Sequence, residues 1–107
     1  VVGQVRYLSS SNTWLAANAN TNGVNATSLL AITTNGSGHN RGMLVRGYFK
    51  NTSWSLTIGS PVYLSTTNNT ITSTAPSASG NVVRVVGYAV AADEIYFNPS
   101  QDWIEIV

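Results

Sequence analysis

The chain has 107 residues, 43% of them hydrophobic and 8% charged, with a formal net charge of +1. That length predicts a single domain over residues 1–107 with an ordinary apolar core, while a charged fraction about a third of the usual roughly 25% leaves Ser, Thr, Asn and Gly to face solvent. The near-neutral balance argues against binding nucleic acid or an anionic membrane, the absence of cysteine rules out disulfides and thiolate zinc sites, and no apolar run approaches the about 20 residues of a membrane helix.

Runs rich in Val, Ile, Thr, Tyr, Trp and Phe, bounded by Gly, Asn, Ser and Pro, predict β-strands along nearly the whole chain. The first covers 3–9, GQVRYLS, and overlaps the terminal stretch VVGQVRYL. Residues 1–8 are also a candidate exchanged or donated strand, because a terminal strand can pair with a neighbour's sheet edge. The next strand covers 13–17 in TWLAANAN, where Ala and Leu favour a helix over 13–20 but the asparagines oppose one. The polar stretch NANTNGVNAT follows, with Asn22-Gly23 as a turn candidate. A strand at 28–34, a turn candidate at Asn35-Gly36 and a long strand at 42–50 come next.

Strands at 61–65 and 70–74 flank Asn68-Asn69, which predicts a hairpin because Asn tolerates positive φ. A Pro/Ser/Gly loop over 75–81 leads to the longest strand, at 82–91, and Asp93-Glu94 marks the turn into a strand at 94–98. The last strand, 103–107, lies beyond a Pro-Ser-Gln-Asp break and is expected in the chain's own sheet, with Ile104 and Ile106 inward and Trp103, Glu105 and Val107 on the other face. The sum is an all-β fold, a small β-barrel or a tight antiparallel β-sandwich, with completion by a neighbour's terminal strand as a further option.

Two of these strands echo each other. LVRGYFK and RVVGYAV align Gly47-Tyr48 with Gly87-Tyr88. Alternation puts Met43, Val45 and Phe49 on one face of the first strand and Arg46, Tyr48 and Lys50 on the other. In the second it puts Val83, Val85 and Ala89 opposite Val82, Arg84, Val86, Tyr88 and Val90. Glycine inside a strand marks a bulge, a bend or a close backbone approach.

No catalytic constellation emerges. His39 is alone in a Gly/Asn-rich loop, no serine sits in G-x-S-x-G, and the carboxylates Asp93, Glu94, Asp102 and Glu105 read as turn and edge charges. No calcium loop or phosphate loop is spelled out. The expectation is a non-enzyme with no cofactor and no metal. Among the aromatics, Trp14 and Trp103 each begin an apolar strand and are expected in the core, whereas Trp54 follows a turn and is the candidate for stacking on a sugar ring. Asn-x-Ser/Thr sequons at Asn25, Asn35, Asn51 and Asn68 are candidate glycosylation sites if the chain follows a glycosylating secretory route.

Residues 59–107, GSPVYLSTTNNTITSTAPSASGNVVRVVGYAVAADEIYFNPSQDWIEIV, are similar to the carboxy-terminal β-domain of tailed-phage virion structural proteins. The order VVRVVGY, IYFNPS, WIEI carries the resemblance, and LLAI and GMLVRGYFK extend it upstream. The family pattern has a Gly-containing turn where this chain has Asn68-Asn69. The resemblance implies an all-β domain displayed on a virion, of head-decoration or tail-fibre type, without enzyme activity.

The expected function is therefore a structural, self-assembling β-domain on a virion surface or outside the cell. Its partners would be copies of itself, in a closed oligomer or a filament, with capsid or tail proteins as further partners. Low surface charge lowers the desolvation cost of such contacts. Val1, Val2, Val5, Tyr7, Arg46, Tyr48, Arg84 and Tyr88 are the candidate interface residues, interfaces being rich in Tyr and Arg. Two alternatives stand beside it: a pilus-like extracellular fibre built by donor-strand pairing, in which a head-to-tail contact does not close, and a carbohydrate-binding module. The first residue is Val1 rather than Met, which fits a processed terminus or a piece of a longer chain.

Overall fold

The structure, a computed structural model, describes residues 3–20, 23–34 and 42–107. Val1 and Val2, the turn candidate at Asn22, the turn candidate and sequon at Asn35, and His39 lie outside the described residues. The fold is all-β and antiparallel, as the alternating apolar pattern requires. In chain order the strands are β1 (Val5–Leu8), β2 (Trp14–Ala16), β3 (Leu30–Thr33), β4 (Met43–Leu44), β5 (Gly47–Lys50), β6 (Pro61–Leu64), β7 (Ile71–Thr72), β8 (Val82–Val83), β9 (Val85–Ala91), β10 (Glu94–Phe97) and β11 (Ile104–Glu105).

Among the described residues these form one sheet ordered β2-β1-β3-β4, a second ordered β5-β10-β9-β6-β7, and a β11-β8 ribbon. One core unites them: Val5, Leu30 and Ile32 from the first sheet meet Val62, Leu64, Val86, Ile95 and Phe97 from the second. The molecule measures 36 × 35 × 20 Å, and its shortest dimension matches two sheets stacked about 10 Å apart with their side chains. Of the two expected architectures this is the sandwich.

The two longest expected strands are each broken, and both breaks have a cause. Residues 42–50 leave the first sheet after β4 and join the second as β5, bending at Val45-Arg46. Changing sheets at a bend is how a chain turns a sandwich corner. Residues 82–91 break at Arg84, where the chain passes from the β11-β8 ribbon into the large sheet. Strict alternation also fails within β9. Val62 faces Gly87 and Tyr63 faces Val85, so Val86 is an extra residue. A bulge of this kind shifts the parity of everything upstream, and Val86 and Gly87 both turn inward. The expected outward set of Val82, Arg84 and Val86 is therefore buried, while Tyr88 and Val90 do face outward.

The stretch 13–20 is not helical: β2 begins at the buried Trp14, and Ala17 and Ala19 continue into the core. The single helical turn in the described residues, α1 (Val24–Thr27), lies in the polar connection and has no side-chain cap. The Asn68-Asn69 hairpin forms as expected, pairing Tyr63 with Thr72 and Leu64 with Ile71. Asn69 holds φ at 66°, the left-handed conformation that Asn tolerates better than most residues.

The hairpin tip does a second job. The Val5 amide donates to the Asn69 carbonyl at 3.0 Å, and the Asn69 amide donates to the Ala17 carbonyl at 2.9 Å. The Ala19 amide donates to Ser65 O at 2.8 Å, and Asn18 Nδ2 donates to Asn68 Oδ1 at 2.7 Å. The two sheets are thus stitched along one edge. Asn69 Oδ1 is buried without a hydrogen-bond partner. Asn69→Gly, which keeps the positive φ and deletes that oxygen, is expected to leave thermal stability unchanged or raised. Asn69→Ala is expected to cost about 1 kcal/mol.

Candidate functional site

The site is built around Arg84. The chain break between β8 and β9 turns this side chain inward, and it is 5% exposed. Its Nε donates to Ser100 O at 2.8 Å, and its Nη1 donates to Ala26 O at 2.9 Å and Ser28 O at 2.8 Å. One guanidinium thereby ties α1 and the approach to β3 to the segment after β10. The planar fork suits this, since it presents several fixed donors at once. Burial pushes the Arg84 pKa below the ordinary arginine value, but arginine still keeps its proton at physiological pH.

The segment 98–103 folds back over Arg84. Asn98 N donates to Val86 O at 2.9 Å and Ser100 N to Val85 O at 2.8 Å. The Asp102 amide is held by Ser100 Oγ at 3.1 Å. The Trp103 ring then lies over the guanidinium, 5.9 Å from its centroid, at the outer limit of a cation–π contact.

Between this segment and the β3–β4 edge lies an open cleft of about 860 Å³. Arg84 forms part of its floor, and Arg46, at the sheet-crossing bend, lines it too. Its walls expose apolar groups: Leu29 is 50%, Val45 44% and Trp103 41% exposed. The cleft thus combines exposed apolar surface with the exposed Arg46 side chain, while the Arg84 guanidinium beneath it is committed to the three carbonyls. Among the described residues no three His, Cys, Asp or Glu side chains gather as a metal site.

The residues singled out in the sequence scatter around this geometry. Arg46 lines the cleft, Tyr48 and Tyr88 are exposed on the large sheet, and Tyr7 packs against the core. Val5 and Arg84 correct the interface expectation, because both are buried within the chain. Val5 sits in a strand flanked by β2 and β3 of its own chain. Trp54 corrects the sugar-stacking expectation: it packs on the core with its ring 5.9 Å from Phe49. Trp14 is in the core as expected, whereas Trp103 is not.

The final strand does pair within its own chain, Ile104 with Val83 and Glu105 with Val82, but Ile104 is exposed rather than inward. The sequons at Asn25, Asn51 and Asn68 lie in α1 and two turns. Asn25 Nδ2 donates to Asn18, Asn51 Oδ1 accepts from the Ser53 amide, and Asn68 Oδ1 accepts from Asn18. The cleft itself had no sequence signature, since Leu29, Val45 and Trp103 come from three separate strand ends.

Comparison with protein-family models, curated proteins and solved structures found no match.

Proposed function

We propose that this chain is a non-enzymatic structural β-domain that assembles with copies of itself on a virion surface, as a head-decoration or tail-fibre-like subunit. The observation that carries the reading is the cleft: an apolar-walled groove, beside the short edge strand β4, in a chain whose surface has few charges to desolvate. A second copy is the occupant, because near-zero net charge favours association of like chains. The phage resemblance of residues 59–107 supplies the virion context by analogy. A fibre built by donating residues 1–8 draws less support, because Val5–Leu8 fills the interior of its own sheet.

The test is the mass in solution by sedimentation velocity, for the parent chain and for the double variant Leu29→Asp/Val45→Asp. The parent is expected well above the 11.3 kDa protomer, and the variant is expected as a monomer with an unchanged melting temperature, since both side chains are exposed. A parent that stays monomeric at high concentration overturns self-association. A variant that assembles like the parent removes the cleft from it.

A further inference from the structure

The Gly-Tyr echo acquires a meaning once the sheet is drawn. Tyr96 of β10 is paired with Tyr48 of β5 on one side and Tyr88 of β9 on the other. Residues directly opposite in an antiparallel sheet share a face, so three tyrosines stand in one row across three strands. Pro61 of β6, paired with Tyr88, extends it. The outer rings are exposed, Tyr48 by 66% and Tyr88 by 52%. The Tyr48 and Tyr96 rings lie 5.1 Å apart and tilted by 50°.

We propose that the Tyr48–Tyr96–Tyr88 row is a binding platform for a neutral, unbranched oligosaccharide. Strands are spaced about 4.8 Å apart, so the row is about 10 Å long, the scale of two successive pyranose rings. Tyrosine rings offer flat apolar faces to the C–H side of a sugar, and their hydroxyls can bond its rim. They do so with little entropy to lose, having two side-chain torsions.

Area argues against a protein partner here. A tyrosine buries at most 150–250 Å², so three part-exposed rings offer roughly 400 Å², half of the about 800 Å² per side of a stable protein interface. Charge argues against an anionic ligand. Beside the row, Lys50 is already 3.8 Å from Asp93, and Glu94 stands opposite it. The inference does not rest on the cleft, although Arg46 and Asn98 of the cleft lining lie only two residues from Tyr48 and Tyr96.

Calorimetric titration of the full chain with cellohexaose, xylohexaose, laminarihexaose, mannohexaose and chitohexaose tests it. At least one is expected to bind. Tyr48→Ala and Tyr88→Ala are each expected to weaken binding by roughly tenfold with unchanged circular dichroism, whereas Tyr88→Phe retains most of it. Leu29→Asp/Val45→Asp is expected to bind sugar like the parent, which separates this site from assembly. Absence of binding by all five sugars at millimolar concentration overturns the proposal. So does equal binding by Tyr48→Ala/Tyr88→Ala, or a fall in that variant's assembled mass without sugar, which would make the row a contact between copies.

Discussion

Gly87→Ala is expected to cost about 3 kcal/mol or more, a large share of the roughly 5–15 kcal/mol that holds a small domain folded. A Cβ at Gly87 would lie 2.3 Å from the Tyr96 carbonyl oxygen and 3.2 Å from Phe97 Cα. Both are main-chain atoms of the paired strand, so relief would require β9 and β10 to separate. Gly47, its counterpart in the echo, is needed for another reason. Its φ is +142° and its added Cβ would meet only the end of the Leu44 side chain at 3.2 Å. Gly47→Ala is therefore expected to cost about 1–2 kcal/mol, as backbone strain. Urea unfolding of the two variants side by side checks the ordering, and equal losses would contradict it.

Arg84→Met is expected to cost about 3–5 kcal/mol, the worth of two to three partly additive hydrogen bonds to a charged group. The side-chain volume is largely kept, but three carbonyls, on Ser100, Ala26 and Ser28, lose a charged donor. Bonds to charged groups contribute about 1.5–3 kcal/mol each and do not add fully. Arg84→Lys is expected to recover less than half of the loss, since one ammonium cannot span a fork that reaches three carbonyls. With a urea slope of about 1–3 kcal/mol/M, the midpoint for Arg84→Met falls by more than about 1 M. A midpoint within a few tenths molar of the parent would show that water replaces the guanidinium without penalty.

What the sequence revealed follows from what is local. Strand periodicity, the Asn68-Asn69 turn and the burial of Trp14 depend on near neighbours and were legible. The order of strands in each sheet was not, because pairings such as Val5 with Ile32 join distant segments. The parity of β9 was lost at Val86, where one bulged residue sends Arg84 into the interior. Trp54 and Trp103 exchanged their expected places for a related reason. Trp54 follows a turn that folds back onto Phe49, with its amide donating to Asn51 O at 3.0 Å, while Trp103 emerges from the 98–102 segment on the outer side. The Gly-Tyr echo was visible as a pattern, but its cause, a shared neighbour strand, needed the register.

The stitching at the Asn69 hairpin sets a timetable for folding. Val5, near the start of the chain, waits for Asn69 to exist before its amide is satisfied, and Ala26 O waits for Arg84, 58 residues later. Contacts this distant must overcome their loop-closure entropy before they contribute. The expected folding time is therefore milliseconds to seconds, with little stable structure until most of the chain has been made. During synthesis the Val5–Leu8 strand has only its hairpin partner Trp14–Ala16 until Leu30–Thr33 has been made, so one of its two edges stays open. That interval, rather than the finished domain, is when a neighbouring chain has access to it.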